Sequence, residues 1–203
     1  MLYCNIFNTD LSSMSSEEIN ERCSHCLEKT DGEECAWLEN KNEQNNNYMA
    51  TIFIPSKNRV KNCKTILLAA ETGAEVTIVL EPQDKIDYHS KFMLNDNIKY
   101  LQLPENNRGI TYVRNFIKKY TEDNNIYQYW QLDDDISALS YREGAKLIKS
   151  DFTVLAKAEK DFMDNGVALG ALEYGQFAWC ATKQMVYDSF CDVAVFVDNT
   201  KTF

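Results

Sequence analysis

From Met49 onward, short apolar runs alternate with segments in which apolar residues recur every three or four positions. Apolar runs that end at turn-forming residues are typical of buried strands, whereas the longer spacing is typical of amphipathic helices. The predicted strands are residues 49–55, 74–82, 98–104, 126–135, 167–175 and 191–199. The predicted helices are residues 59–73, 88–97, 108–125 and 150–166.

This order of elements predicts the fold class. Strands that alternate with helices form a mainly parallel sheet that is covered by helices on both faces. We therefore expect residues 49–203 to form an α/β, Rossmann-like domain. The helix at residues 108–125 is expected to pack through one apolar face, made of Val113, Phe116, Ile117 and Tyr120.

Polar segments follow three of the predicted strands. They are PSKNR at Pro55–Arg59, EPQD at Glu81–Asp84 and DDD at Asp133–Asp135. Ligands of mainly parallel sheets bind beyond the carboxyl ends of the strands, which share one edge. We therefore expect the three segments to converge on a single site.

Residues 1–48 have a different composition and are predicted to be a small appendage that ends in an Asn-rich linker at residues 40–48. A Ser cap and early acids predict a short helix at residues 15–30. Residues 1–49 contain ten acidic residues against three basic ones, and the rest of the chain contains 21 against 18. The nearly neutral body argues against extensive binding to a phosphate backbone, but it is compatible with a local nucleotide site.

No apolar run is long enough to span a membrane, and the first residues lack the basic-then-apolar order of a secretory signal. We therefore expect a cytoplasmic protein with reduced thiols and no membrane partner. The pattern carries no signal for an oligomeric state.

Three consecutive carboxylates at the end of an aromatic strand are the main candidate chemistry. Side chains alternate along an extended segment, so Asp133 and Asp135 are expected to point to one side and Asp134 to the other. Two carboxylates on one side suit a hard divalent cation, Mg²⁺ or Mn²⁺, whose shell a substrate phosphate completes. The alternative is a solvated acidic turn.

The apolar strand that ends in DDD, together with FIPSKNR and NNRGITYVRN, resembles the GT-A-type glycosyltransferases. The segments PSKNR, LPENNRGITYVRN, QLDDDI and ALEYGQFAW are similar to the TET/JBP-associated glycosyltransferases, which are linked to sugar transfer onto oxidised pyrimidines in DNA. The resemblance covers about residues 50–199. It implies a GT-A-like domain that transfers a hexose from a nucleotide sugar, expected to be a UDP-sugar, with help from Mn²⁺ or Mg²⁺. The implied acceptor is a hydroxyl group, for which a hydroxymethylpyrimidine in DNA is one candidate.

The resemblance also implies roles for residues on the donor side. Asp135 would ligate the metal and so act in catalysis, and Asp133 would bind the ribose or a metal-bound water. Asp134 fills a usually variable position, where a change is expected to matter little. The residues expected to line the nucleotide are Pro55, Ser56, Asn58, Arg59 and Asp134.

Further donor contacts are expected from two other loops. Glu81 would accept an N–H from the nucleobase, although an ordinary solvated acid is the alternative. Asn107, Arg108 and Arg114 surround the start of a predicted helix, where anions bind well. A local ion pair is the alternative for each arginine.

On the acceptor side, Glu173 precedes three aromatic residues in EYGQFAW. Aromatic rings suit sugars or flipped bases, and Glu173 would act as general base on the acceptor hydroxyl. The alternative is that Phe177 and Trp179 belong to the core.

Two other function classes stay open. Members of the resembled family usually continue beyond the point where this sequence stops, so a non-catalytic nucleotide-binding or scaffold domain is one alternative. A nucleotidyltransferase is the other, but that class usually has a Gly-rich loop after the first strand, and IPSKNRVKN contains no Gly.

The cysteines of the appendage give the first testable prediction. Cys23 and Cys26 form a C-x-x-C half-site for zinc, with Cys35, Cys4 and His25 nearby in the sequence. Because the sequence contains no second C-x-x-C, we expect free thiols rather than bound zinc. Elemental analysis of the purified protein checks this expectation. About one zinc per chain, together with loosening of the appendage by a chelator, would contradict it.

Overall fold

The computed structural model describes the backbone of residues 2–4, 9–10 and 38–40, and it describes residues 49–144, 146–178, 183 and 185–201. The chain divides into two compact units, Met1–Tyr48 and Met49–Phe203. In the first unit, strands β1 (Leu2–Cys4), β2 (Thr9–Asp10) and β3 (Leu38–Asn40) form an antiparallel sheet in the order β2–β1–β3. The predicted helix at residues 15–30 and the C-x-x-C half-site lie outside the described residues.

The second unit contains a central sheet, a separate hairpin and helices. Its strands are β4 (Thr51–Ser56), β5 (Val76–Leu80), β6 (Ile98–Gln102), β7 (Gln128–Leu132), β8 (Leu139–Glu143), β9 (Lys146–Ser150), β10 (Leu169–Ala171) and β11 (Ala194–Asp198). Its α-helices are α1 (Lys64–Thr72), α2 (Lys85–Phe92), α3 (Ile110–Asp123) and α4 (Thr153–Asp164), and a 3₁₀ turn at Pro82–Asp84 leads into α2. Within the described part of the chain, no helix is both long enough and apolar enough to cross a bilayer.

The six-stranded sheet has the order β10–β11–β7–β4–β5–β6. Strand β4 pairs in parallel with both β5 and β7, and β5 pairs in parallel with β6. Strand β11 runs antiparallel to β7, so the residue that begins it, Ala194, lies opposite Leu132 at the end of β7. The predicted α/β class, with a mainly parallel sheet between helices, is confirmed. The carboxyl ends of β4 to β7 and the beginning of β11 share one edge, which we call the carboxyl edge.

Both faces of this sheet are buried because the strand side chains alternate between two apolar clusters. Ile52 and Ile54 of β4 pack on one face with residues of α1, α2 and α4, whereas Phe53 packs on the other face with α3. All three side chains are at most 1% exposed. The predicted apolar face of α3 lies within the second cluster, as Val113, Phe116, Ile117 and Tyr120. Burial of the sheet on both faces holds the strand ends of the carboxyl edge in fixed positions.

A buried carboxylate ties the beginning of β4 to α4. Glu159 is 7% exposed, and its Oε2 accepts hydrogen bonds from the backbone N–H of Ala50 at 3.0 Å and from Trp130 Nε1 at 3.3 Å. Burial raises the pKa of Glu159, and the two donors oppose that shift. Two donors at one oxygen make the burial of this group tolerable.

Several predicted boundaries were wrong. Strand β7 ends at Leu132, so the acids after it lie beyond the strand, and β10 is only three residues long. The hairpin β8–β9 was not predicted, because Leu147 and Ile148 are adjacent in β9 and break the alternation of apolar and polar residues. Gly144, with φ of 59°, makes the turn between its strands, since this left-handed conformation strains residues that carry a Cβ.

Close packing at β10 gives a prediction about stability. A Cβ added to Gly170 would lie 2.7 Å from the Phe162 ring, which packs against the rings of Trp130 and Phe196. We expect Gly170→Ala to lower the free energy of unfolding by about 1–3 kcal/mol, as overpacked cores do. Gly175→Ala is the matched control, because its nearest neighbour would be 3.9 Å away. Urea denaturation of both variants measures the difference, and equal stability of the two would contradict the prediction.

Candidate functional site

The backbone of the acidic turn is held by one buried side chain. Thr65, at the start of α1, is fully buried. Its hydroxyl donates to the carbonyl of Asp133 at 2.5 Å and accepts the N–H of Ile136 at 2.9 Å, and its own N–H donates to the carbonyl of Asp134 at 3.1 Å. On the other side, the N–H of Asp133 donates to the carbonyl of Val193, just before β11. The turn is therefore fixed between α1 and β11.

Asp134 is the buried member of the three acids. Its residue is 6% exposed, and its Oδ2 accepts a short hydrogen bond from the hydroxyl of Ser56 at the end of β4. The Ser56 hydroxyl lies 2.5 Å from the hydroxyl of Tyr88 in α2, and burial raises the pKa of Tyr88 to about 12. Arg59 Nη1 donates to the other oxygen of Asp134, Oδ1, at 2.9 Å. Asp134 thus joins the ends of β4 and β7 to α2.

Arg59 connects two of the acids through a single nitrogen. Its Nη1 donates to Asp135 Oδ2 at 3.0 Å as well as to Asp134. The charge of Asp134, with the hydrogen bonds and charge of Asp135, raises the pKa of Arg59. Asp134 and Asp135 therefore share one cation. Although β7 ends at Leu132, burial alternates along the three acids, with Asp134 buried and Asp133 and Asp135 about half exposed.

Asp133 faces a different set of charges. Arg114 Nη2 lies 3.8 Å from Asp133 Oδ1, and it also lies 3.4 Å from the backbone carbonyl of Asp192. Burial raises the pKa of Asp133; Arg114 opposes this shift, whereas Asp135, Asp134 and Asp192 add to it. Asp133 is therefore surrounded by three other carboxylates and one guanidinium, that of Arg114.

Glu81 bridges the loops that follow β4, β5 and β6. The residue is 3% exposed. Its Oε1 accepts hydrogen bonds from Lys57 Nζ at 3.0 Å and from the N–H of Asn107 at 2.9 Å, and its Oε2 accepts from Gln83 Nε2 at 2.8 Å. Lys57 also donates to Asn107 Oδ1 at 2.6 Å. This arrangement favours a structural role for Glu81, and its expected contact with a nucleobase stays a prediction.

The remaining residues of the PSKNR segment have different positions. Pro55 lies within β4, opposite Val79. Asn58 is exposed and has a positive φ of 54°, a conformation that Asn tolerates better than most residues. The backbone of Asn58 hydrogen-bonds the buried Asp84, whose pKa is raised mainly by burial. The segment therefore turns sharply after β4 and packs against the loop after β5.

The two arginines near α3, Arg108 and Arg114, have different ion-pair partners. Arg108 pairs with Glu105 at 2.6 Å and lies over the ring of Tyr112, with 5.1 Å from Cζ to the ring centroid. Arg114, one turn into the helix, faces Asp133. The structure thus brings Arg114 to the acidic turn and gives Arg108 the local ion pair.

A groove of about 710 Å³ lies beside Asp135. Its walls come from the hairpin β8–β9, from α4 and from the segment after β10, which contains Glu173 and Tyr174. Glu173 is exposed, and its Oε1 accepts the N–H of Tyr174 at 2.9 Å. The rings of Tyr174 and Phe177 pack edge to face, with their centroids 6.1 Å apart, and Trp179 lies outside the described residues. The structure therefore places Glu173 and Asp135 in the lining of one groove.

A family model described as "TET-Associated Glycosyltransferase" matches residues 50–197, which include every element of the second unit except the last residue of β11. The chain belongs to the TET-associated glycosyltransferases. No curated protein matches the sequence. Among solved structures, the crystal structure of S. aureus TarS 1-349 matches with 16% identity and a TM-score of 0.36. That match covers 63% of this chain and 39% of the TarS chain.

In this TET-associated glycosyltransferase, Asp133 and Asp135 suit a divalent cation that takes further ligands from a bound phosphate. Among the described residues, no group of three or more His, Cys, Asp or Glu side chains is arranged to hold a metal. Asp133 and Asp135 are about half exposed, at 46% and 54% of their side chains, and each lies next to a guanidinium group. Mg²⁺ and Mn²⁺ usually take one or two carboxylates and complete their shells with water and substrate phosphates. The residues therefore fit a cation that is held jointly with a phosphate ligand.

Sequence reasoning missed four residues of this site: Thr65, Tyr88, Lys57 and Asp192. Thr65 and Tyr88 interrupt the polar-apolar pattern of their helices, and a polar group on a buried helix face is the signal that would have found them. Lys57 and Asp192 stand in loops, where charged residues are usually solvated. Their sequence positions carry no such signal.

The different burial of the acids predicts opposite effects on stability. In EDTA, Asp134→Asn should lower the free energy of unfolding by about 1–3 kcal/mol. The Asn amide has one oxygen where the carboxylate has two, so either the Ser56 hydroxyl or the Arg59 guanidinium loses its charged acceptor. Asp133→Asn should raise it at neutral pH, because burial raises the pKa of Asp133 and so disfavours the charged form.

The pH dependence of the second effect provides the check. A raised carboxyl pKa costs stability only above the ordinary Asp value of 3.8, so the gain from Asp133→Asn should disappear below that pH. Urea denaturation across the pH range measures both variants. Equal effects at the two positions would indicate a uniformly solvated turn.

Proposed function

We propose that this chain transfers a sugar from a nucleoside-diphosphate sugar, with UDP-sugar as the expected donor, to an acceptor hydroxyl group. The observation that carries the proposal is the convergence of four loops at the carboxyl edge of a TET-associated glycosyltransferase domain. Arg59, Arg114 and Lys57 provide cations there, next to the carboxylates of Asp133 and Asp135. A diphosphate needs such cations, and a metal shared with it needs such carboxylates.

The nucleotide is expected to lie over the loops after β4 and β5. Glu81 holds these loops to the loop after β6 through Lys57, Gln83 and Asn107. A surface fixed in this way loses little conformational freedom when a ligand binds. Support for a uridine base comes from the family resemblance rather than from a contact of one residue.

Asp133 and Asp135 would hold Mn²⁺ or Mg²⁺ together with the diphosphate of the donor. A cation bound there supplies Lewis-acid stabilisation of the charge on the departing nucleoside diphosphate. Arg59 and Arg114 contribute to the same charge balance, because their guanidinium groups lie beside the two acids. Arg59 would exchange its hydrogen bond with Asp135 for one with a phosphate oxygen.

The acceptor is expected in the groove beside Asp135. Glu173 would take the proton of the acceptor hydroxyl while its oxygen forms a bond to the anomeric carbon of the sugar. The bond from that carbon to the diphosphate oxygen breaks, and its electron pair leaves with the nucleoside diphosphate. The groove lies within the usual size range of ligand pockets, which is roughly 300–1,000 Å³.

A hydroxymethylpyrimidine in DNA is the proposed acceptor class. The family match supports this class, and the exposed rings of Tyr174 and Phe177 next to the groove suit stacking on a base. Lys157, which lies 5.8 Å from the ring centroid of Tyr141, and Lys183 add positive charge to the walls of the groove. A base turned out of a duplex would expose its hydroxymethyl group to Glu173.

Calorimetry with each nucleoside diphosphate, with and without Mn²⁺, tests the donor side. We expect UDP to bind in the presence of Mn²⁺, and Asp135→Asn to abolish the dependence on Mn²⁺, because a neutral amide is a poor ligand for a hard cation. Asp96→Asn is the matched control, since this exposed carboxylate precedes β6, at the opposite edge of the sheet.

A folded wild-type protein that binds none of the nucleoside diphosphates would remove the proposed function. Binding of a nucleotide without transfer or hydrolysis of any nucleotide sugar would instead favour the non-catalytic nucleotide-binding domain.

A further inference from the structure

Arg59 makes its ion pairs in an unusual way, through one of its three nitrogens. Nη1 donates to Asp134 at 2.9 Å and to Asp135 at 3.0 Å. Among the described residues, the side-chain Nε and Nη2 of Arg59 have no hydrogen-bond partner, and the side chain is 52% exposed. Nη1 carries two of the five N–H groups of the guanidinium, which leaves the three on Nε and Nη2 for other acceptors.

The two acids that share Nη1 differ in how firmly they are held. Asp134 is 6% exposed and is fixed by Ser56 through its other oxygen and by Thr65 through its backbone carbonyl. The side chain of Asp135 is 54% exposed, and Arg59 is its partner. When Asp135 moves to a cation, Asp134 is the group that keeps Arg59 in place.

We propose that Asp134 is a positioning residue, which holds the Arg59 guanidinium by one nitrogen so that its three other N–H groups are directed to the diphosphate of the donor. This inference rests on the proposed function. It assigns a role to the central acid of the motif that differs from the little importance expected from the sequence.

The chemistry of the guanidinium group supports this role of Asp134. Its planar fork matches two phosphate oxygens at once, and hydrogen bonds of this kind are stronger than those between neutral groups. A free Arg side chain must lose rotational freedom to form them, and an Arg that is already anchored loses less. Asp134 also carries a full negative charge, which keeps the guanidinium from moving into bulk solvent.

A double-mutant cycle tests whether Asp134 acts through Arg59. The proteins are the wild type, Asp134→Asn, Arg59→Gln and the double variant, with Asp96→Asn as the control for loss of a carboxylate. The measurement is the affinity for UDP, or for whichever nucleoside diphosphate the wild type prefers, by calorimetry both with Mn²⁺ and in EDTA. Thermal denaturation monitored by circular dichroism confirms that each protein is folded at the temperature used.

We expect Asp134→Asn to weaken binding about tenfold, the usual size of a lost charge-assisted hydrogen bond, in Mn²⁺ and in EDTA alike. In the Arg59→Gln background the same change should matter less than about twofold, because the group that Asp134 positions is gone. A loss of the same size in both backgrounds would overturn the inference, and so would the absence of any loss.

A second variant keeps the test decisive if Asp134→Asn does not fold. Ser56→Ala removes the hydroxyl donor to Asp134 but leaves the carboxylate, so it should weaken binding by about threefold, and again only when Arg59 is present. Equal effects with and without Arg59 would overturn the inference here too.

The two proposals fail in different ways. A wild-type protein that binds no nucleoside diphosphate overturns both the proposed function and this inference. A wild type that binds one, but shows no coupling between positions 59 and 134, overturns this inference alone.

Discussion

Asp134 is a carboxylate removed almost entirely from water, and the site depends on the donors that make its burial tolerable. An isolated charge in such a position costs several kcal/mol, so it persists only when it is paired and hydrogen-bonded. Ser56 and Arg59 provide these contacts; Ser56 is the last residue of β4, and Arg59 lies in the segment that follows it. The end of β7 is thereby tied to the end of β4, which is its neighbour in the sheet.

The three consecutive acids have different environments and different structural roles. Asp134 faces inward and holds the loops together, whereas Asp133 and Asp135 remain about half exposed and next to cations. A single turn of backbone, fixed by Thr65, thus provides both an anchor and two accessible carboxylates. Burial and the neighbouring carboxylates raise the pKa of Asp133, so its charged form costs stability in the free protein, and a site of this kind gives up stability in favour of binding.

The layout of the fold could be predicted because it follows from local pattern. Alternating apolar strands and amphipathic helices leave few ways to bury both faces of a sheet, and the apolar face of α3 was evident from its spacing. The convergence of polar loops followed from the direction of parallel strands. The partners of the individual side chains could not be predicted in this way. The burial of Asp134 depends on how closely α1 and α2 approach the strand ends. The hydrogen bonds that Glu81 accepts come from Lys57 and Asn107, which lie 24 and 26 residues away in the sequence. The hairpin β8–β9 has Leu139, Tyr141 and Ile148 on one face, but the adjacent Leu147 and Ile148 interrupt the alternation in β9 that would reveal it.

The edges of the central sheet have a consequence for how the protein meets other chains. Strand β6, at one edge, has the exposed Lys99, which pairs with Glu75, and β10, at the other edge, is three residues long. Short edge strands and charged edge residues hinder the addition of a further strand from another molecule. Aggregation by edge-to-edge pairing is therefore disfavoured in this unit. Macromolecular partners are expected to bind through loops and grooves rather than by extending the sheet.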